Sequence, residues 1–386
     1  VFDSPAIHDQ RGEHGASRTC QKDATMKMKS IASLFAIPGD FLAAAPYGNG
    51  HINDTYAVSI RQGGTPLRYI FQRINHHVFQ QPEKLMDNVL RVTRHIRAGM
   101  DGIPDASRRT LTVIPATDGR PFAKDDENCY WRVYVFVEEA HSRDTAEAPE
   151  HAFQAARAFG RFQKDVADLS TPRLHEVIPG FHHTPQRFEA LENAINADSR
   201  GRVAACSREI DFAMARKTDA HLLTDLLAAG QLPERITHND TKLNNVLRDN
   251  LTGEGVCVID LDTVMPGLIH YDFGDMVRSA TCTAAEDETD LRKVQVRFDL
   301  FEALLRGYLD AANDFLTPLE KELLPFSGKL ITLEIGVRFL TDYLQGDIYF
   351  KTKRPEHNLD RCRNQFQRVC SIEEQLDEMT TLLKRI

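Results

Sequence analysis

The sequence predicts an α+β protein in two lobes, a small β-rich one followed by a larger helical one. Three observations carry this. Period-two alternation with Gly-containing turns dominates up to about residue 138. Helical periodicity dominates after Glu139. The length of 386 residues exceeds a usual single domain and suits a two-lobed unit.

The elements follow in chain order. Residues 1–27 are polar, lack an aromatic residue after Phe2 and contain no signal-peptide core, so they read as a disordered or expression-derived leader. The N-lobe is expected over 28–138. It opens with a helix over Met28–Ala36, stopped by Pro38-Gly39. An extended run, Leu42–Pro46, leads to Tyr47-Gly48-Asn49-Gly50-His51-Ile52-Asn53-Asp54. Strands over Thr55–Ile60 and Leu67–Ile74 flank a Gln62-Gly63-Gly64 turn. Leu85, Met86, Val89, Leu90, Val92 and Ile96 share one face of a helix over Glu83–Ala98, entered through Pro82. Two more strands are expected at Leu111–Ala116 and Tyr130–Val137. Val137-Glu138-Glu139-Ala140-His141 forms the hinge, and a cleft between lobes is a preferred ligand site. The C-lobe, 139–386, carries helices at Pro149–Asp168, Pro185–Ala197, Arg208–Ala229, Leu291–Ala312, Ser327–Leu344 and Asn364–Leu383. One β-hairpin, Asn245–Asp260, interrupts them.

Composition excludes several function classes. The formal charge is −9, from 47 basic and 56 acidic residues. A nucleic-acid coat or a polybasic membrane anchor needs the opposite balance. No apolar run approaches the roughly 18 residues of a membrane span. The seven cysteines are scattered without a Cys-x-x-Cys pair, so neither a zinc knuckle nor a disulfide framework is indicated, and a cytoplasmic protein with reduced thiols is the simplest expectation. Apolar periodicity does not separate a core face from an oligomer interface.

The strongest chemical signal is Thr237-His238-Asn239-Asp240-Thr241-Lys242-Leu243-Asn244-Asn245, followed by a hairpin that ends in Val258-Ile259-Asp260-Leu261-Asp262. Pairing Val246 with Ile259, Leu247 with Val258 and Arg248 with Cys257 sets Asn245 opposite Asp260. An amide oxygen and a carboxylate then converge, as hard ligands for Mg²⁺ should. Asp240 stands upstream on a loop, free to face a substrate hydroxyl. Phosphoryl transfer needs this division: one carboxylate orients the attacking hydroxyl, and the others hold the metal that neutralises phosphate charge.

These residues resemble the catalytic signature of the aminoglycoside phosphotransferase and choline kinase family, a branch of the bilobal protein-kinase-like fold. That signature is His-x-Asp-x-x-x-x-Asn, a hairpin and Ile-Asp. The resemblance implies that Asp240 is the catalytic base, with His238 ordering its loop. It implies Mg²⁺ ligation by Asn245 and Asp260. Asp262 reads either as a second metal contact or as structural hydrogen bonding. Longer motifs, Tyr47–Tyr56, Ile259–Gly267, Tyr271-Asp272-Phe273-Gly274-Asp275, Arg338–Leu344 and Asp347–Phe350, are similar to those of kinases that phosphorylate N-acetylhexosamines at the anomeric hydroxyl with ATP. That similarity implies sugar contacts by His51, Asn53, Arg338 and Tyr349. Gly48, Asn49 and Gly50 are expected near the nucleotide phosphates, and the hinge backbone at Glu138 and Glu139 near adenine.

Blander readings stand beside these. Gly48-Asn49-Gly50 alone is a turn signal. Arg338 and Asp342, four apart on a helix, could form a solvated ion pair. Tyr271-Asp272-Phe273-Gly274 imitates the kinase metal motif, but Asp260 already ends the hairpin, so Asp272 is expected to cap a helix or brace the catalytic loop. The strand Leu67–Ile74 lacks the phosphate-gripping Lys of protein kinases; Arg73 or Gln72 stands nearest, with Glu83 or Asp87 as partners. Other acceptors, namely an aminoglycoside, choline, homoserine or a thiosugar, fit the same signature. So does a catalytically silent nucleotide-binding protein, which the missing Lys favours and the intact Asp240, Asn245 and Asp260 oppose.

Overall fold

A computed structural model describes residues 25–48, 52–169 and 171–386. These divide into two compact units: the described residues up to Leu90 with Leu111–Val137, and Arg91–Thr110 with Glu138–Ile386. The first unit is built on one antiparallel sheet. Helix α1 (25–32) precedes β1 (Asp40–Pro46), β2 (Asp54–Gln62) and β3 (Thr65–Ile74), and helix α2 (Pro82–Ala98) follows. The sheet is completed by β4 (Val113–Ile114), β5 (Ala123–Lys124) and β6 (Tyr130–Val135), in the order β1-β2-β3-β6-β4, with β5 also on β6. Alternation does what the sequence requires. Val58 and Ile60, Tyr69 and Phe71, and Trp131 and Val133 share one sheet face, which Met28, Ile31 and Phe35 cover.

Residues 25–27, expected in the leader, belong to α1, where Lys27 bonds Glu127 at 2.8 Å. The helix ends at residue 32, short of Ala36, because Phe35 turns to bridge Ala116 and Ala36 N–H bonds Pro115 C=O at 2.9 Å. The expected strand Leu111–Ala116 shrinks to β4 for the same reason: its end is spent on that bridge.

The second unit is helical. A single turn, α3 (Ala106–Arg109), precedes β7 (Ala140–His141), α4 (Pro149–Asp165), α5 (Thr184–Ala197), α6 (Ser207–Met214) and α7 (Leu222–Ala228). Strands β8 (Arg235–Thr237), β9 (Val246–Asp249), β10 (Gly255–Val258) and β11 (Met265–Gly267) come next. Helices α8 (Ile269–Ala280), α9 (Phe298–Ala312), α10 (Pro318–Glu322), α11 (Leu324–Gln345) and α12 (His357–Leu383) complete it. Helix α11 is buried on nearly every side. Leu333, Val337, Leu340 and Leu344 meet Phe188 and Leu191 of α5 and Leu359 and Val369 of α12, while Leu330 and Ile331 meet Leu268 and Tyr271. Gly274 permits the close crossing of α8 and α11, since a Cβ there would strike Ser327 C=O and the Ile331 side chain. Among the described residues no helix is long and apolar enough to cross a membrane.

Two expected helices are broken. The stretch Arg208–Ala229 divides into α6, a short 3-10 turn at Lys217–His221, and α7. Arg216 Nη1 bonds Phe212 C=O at 3.1 Å and its fork grips Glu373 of α12, so tertiary contacts fix the turn. The stretch Leu291–Ala312 begins its helix only at Phe298, because Val296 N–H bonds Ser371 and Arg297 N–H bonds Thr281 C=O.

The hairpin register also differs from expectation. Val246 pairs with Val258 and Leu247 with Cys257, then Arg248 pairs with Gly255 across a bulge at Val256. Asn245 therefore lies opposite Ile259, whose N–H bonds its carbonyl at 2.9 Å, and not opposite Asp260. Gly255 is pressed against α4, where a Cβ would meet Gln154 C=O and Ala158. That contact pins one strand and the extra residue bulges out.

Candidate active site

The site is framed by two short antiparallel ladders. Pairing of β8 with β11, Met265 opposite Thr237, and of β9 with β10 brings the loop 238–245 beside the turn 259–264. Side chains stitch the two together. Thr263 Oγ1 donates to His238 C=O at 2.7 Å, and Asn239 Nδ2 donates to Thr263 C=O at 2.9 Å. His238 Nε2 bonds Ile259 C=O at 2.9 Å, which makes it the protonated nitrogen. Nδ1 is then the acceptor for Asp240 N–H at 3.3 Å. Phe159 and Phe162 pack edge-on against the ring. His238 thus orders the loop from a buried position.

Beneath the loop lies Asp272, fully buried in the first turn of α8. Its carboxylate accepts from His238 N–H at 2.9 Å, Asn239 N–H at 2.7 Å and Gln163 Nε2 at 2.6 Å. Thr241 donates its hydroxyl to Asp272 C=O and its N–H to Asp275, which Arg278 also pairs. Asp272 braces the loop 238–245 and caps no helix. Burial pushes its carboxyl above the ordinary value, against the pull of His238 and the loop N–H groups. Asp275 moves the other way: burial opposes it, but Arg278 holds its carboxyl below the ordinary range.

On this base the polar side chains of the motif gather. Asn245 Nδ2 donates to Asp240 C=O at 2.8 Å and to its carboxylate at 3.2 Å. Lys242 Nζ lies 3.0 Å from the same carboxylate. Desolvation works to lower the Lys242 ammonium, but Asp240, with Asp260 and Asp275, outweighs it and raises it. Asp260 stands at φ 59°, a left-handed conformation Asp tolerates better than most residues, and so leaves β10 through a tight turn. Asp262 is buried on the following 3-10 turn.

This donor set suits a hard cation. Asn245 commits its nitrogen to Asp240 and leaves Oδ1 as an oxygen ligand, and the Asp260 carboxylate is near enough to act on Lys242. Asp240, Asp260 and Asp262 do not by themselves bring three oxygens together. The described group of His, Cys, Asp or Glu ligand atoms that does is Asp125, Glu127 and Cys129. There Asp125 already accepts from Glu127 N–H, Cys129 N–H and Trp131 Nε1, so the cluster reads as a stapled loop.

Other expected site residues are placed as follows. Asn49, Gly50 and His51 lie outside the described residues; Gly48 is a turn glycine at φ 76°. Asn53 Oδ1 accepts from Asn75 N–H at 3.0 Å. Arg73 bonds Asp54, on the sheet face of Trp131. Gln72, on the other face, accepts from Arg132 Nε at 3.0 Å, and Glu83 accepts from Tyr130 and Lys124. The carbonyls of Glu138 and Glu139 both accept from Arg108. Arg338 makes no ion pair with Asp342. Its guanidinium lies between the rings of Phe181, Tyr349 and Phe350, at 5.4–5.8 Å. Asp342 instead accepts the N–H groups of Ile348, Tyr349 and Phe350 and the Asn358 amide, and so shapes the loop that presents the exposed Tyr349. Arg187 stands beside Arg338; burial and that second guanidinium lower its pKa, and its Nε has no partner.

Sequence reasoning overlooked Lys242, two residues after Asp240, though it lies within the motif. It also overlooked Arg132, His182 and Glu334, for which no local pattern exists.

The N-terminal antiparallel sheet, the helical remainder and the loop–hairpin–turn site define a kinase-like fold. The chain belongs to the phosphotransferase enzyme family, whose model matches residues 43–308. Solved structures agree on the fold. An aminoglycoside phosphotransferase from Alicyclobacillus acidocaldarius is 14% identical, with a TM-score of 0.62 over 92% of this chain and 96% of that one. An ethanolamine kinase from Plasmodium vivax is 14% identical, with a TM-score of 0.51 over 84% and 82%. A spectinomycin phosphotransferase, solved with ADP and spectinomycin, is 14% identical, with a TM-score of 0.50 over 94% and 99%.

Proposed function

We propose that this phosphotransferase moves the γ-phosphoryl group of ATP onto the anomeric hydroxyl of an N-acetylhexosamine, N-acetylglucosamine or N-acetylgalactosamine, in the cytoplasm. The observation that carries the reading is the Asp240 carboxylate held between the Asn245 amide and the Lys242 ammonium. Asp240 accepts the anomeric proton as O1 attacks in line. The transition state is loose, so positioning and charge neutralisation matter more than base strength. Lys242 supplies one fixed positive charge. Asn245 Oδ1 and Asp260, with Asp262 behind them, would hold Mg²⁺, which when bound supplies further neutralisation of phosphate charge. Arg338 and Tyr349 would contact the sugar, in line with the motif resemblance.

A cationic acceptor is the second reading, favoured by the fold likeness to an aminoglycoside phosphotransferase and an ethanolamine kinase. Arg338 with Arg187 beside it weighs against it, since two guanidinium groups repel a cation. The test is ADP release with Mg²⁺ and ATP across N-acetylhexosamines, hexoses, choline, ethanolamine and aminoglycosides. N-acetylhexosamines are expected to give the highest kcat/KM. Preference for choline, ethanolamine or an aminoglycoside would replace the first reading by the second.

A further inference from the structure

Asn239 stands at φ 64°, a left-handed conformation that Asn adopts more readily than most residues. The peptide between Asn239 and Asp240 is gripped at both ends. Its N–H goes to His238 Nδ1 at 3.3 Å, and its C=O meets His182 Nε2 at 3.2 Å. The other ring nitrogen of His182 meets Glu334 Oε1 at 2.8 Å, and Glu334 Oε2 accepts from the Thr184 hydroxyl at 2.7 Å. Glu334 is fully buried in the middle of α11, and His182 is buried between Phe181 and Tyr271. A backbone carbonyl and a carboxylate are both acceptors, so His182 donates from both nitrogens.

We propose that Glu334 and His182 are positioning residues for Asp240. Glu334 orients the His182 ring and holds its second proton, and the ring fixes the plane of the Asn239–Asp240 peptide. That plane sets the direction in which the Asp240 side chain leaves the backbone. Neither residue touches substrate; both act through the loop. The inference rests on the reading of Asp240 as the base.

Two isosteric changes separate positioning from mere packing. In His182→Asn the amide stands where Nδ1 stood and keeps Glu334, while the bond to Asn239 is lost. In His182→Gln the amide stands where Nε2 stood and keeps the Asn239 carbonyl. Steady-state rates are measured with the acceptor that the wild-type enzyme turns over fastest. His182→Asn is expected to lose about 30-fold or more in kcat, with both KM values within about threefold, because displacement of a catalytic group by about 1 Å costs about a hundredfold. His182→Gln is expected to stay within about fivefold of wild type, since it keeps the group in place. Equal losses in the two variants, or wild-type kcat in His182→Asn, would overturn the proposal. Glu334→Leu serves if the histidine variants do not fold. It leaves the His182 ring without the acceptor that orients it, so kcat should fall about tenfold at unchanged KM, the equivalent of one hydrogen bond; unchanged kcat would contradict the relay. Asp240→Asn, run alongside, separates the two claims. If it keeps wild-type turnover, the base reading fails and the relay with it. If it is inactive while His182→Asn is fully active, the relay alone fails.

Discussion

Asp240 is held by four kinds of contact: the His238 ring through its N–H, the Asn245 amide through its carbonyl and carboxylate, the Lys242 ammonium, and the peptide before it through His182. An isosteric Asp240→Asn leaves this scaffold in place but cannot take a proton. Its kcat should fall at least about a hundredfold, the usual contribution of a general base, while ATP affinity measured by calorimetry stays close to wild type. Turnover near wild type would remove Asp240 from the chemistry. His238, Asp240 and Asn245 were legible in the sequence because they fall within eight consecutive positions, whereas Lys242 between them was given no role. His182 and Glu334 were not legible, since 152 residues separate them and only the packing of α11 against the loop unites them. Asp342 belongs to the same lesson. Its spacing to Arg338 suggested an ion pair, but the carboxylate collects three backbone N–H groups and the Asn358 amide. Asp342→Ala should therefore loosen the Tyr349 loop and raise the acceptor KM about tenfold, as loss of one to two net hydrogen bonds implies, with the ATP KM unchanged. An equal rise in both KM values would deny that loop its acceptor role.

At the level of elements, the hairpin was legible and its register was not. Alternation in Val246–Asp249 marks a strand, but the bulge at Val256 answers to α4, which presses on Gly255. Asp260 is consequently delivered by a left-handed turn. For α8 one of the two roles expected of Asp272 fits: together with Asp275 it braces the loop 238–245 from below. His270, in the first turn beside Asp272, gives this helix a pH signature. Burial pushes its imidazole down to about 4 from an ordinary 6.5. The unfolded chain therefore takes up the proton first as pH falls. The stability contributed is full above pH 6.5 and is lost as pH falls toward 4, at up to about 1.4 kcal/mol per pH unit. His270→Gln keeps the bond from Nε2 to Glu320 C=O (3.0 Å in the native chain) and removes the titration. Denaturant melts across this range should show a shallower decline than wild type; an identical slope would mean that His270 does not titrate there.

Over the whole molecule, the division into a sheet-based unit and a helical unit was legible from periodicity, because strands and helices segregate along the chain. The boundary was not: residues 91–110 belong with the helical unit, since α2 runs on past Leu90 and Arg108 bonds Asp249 and the backbone after Val137. Under the proposed function, Asp240, Asp260 and Asp262 would be carboxylates through which a chain of net charge −9 meets its polyphosphate by way of a metal. Family membership fixes the transfer of a phosphoryl group, and the acceptor is the part that rests on the proposed function. The most direct measurement is NMR of the product formed from ATP, Mg²⁺ and N-acetylglucosamine. A new phosphorus signal coupled to the anomeric proton is expected, formed by the wild-type enzyme and absent with Asp240→Asn. Phosphate on any other hydroxyl, or transfer to choline, ethanolamine or an aminoglycoside with the N-acetylhexosamines left untouched, would contradict it.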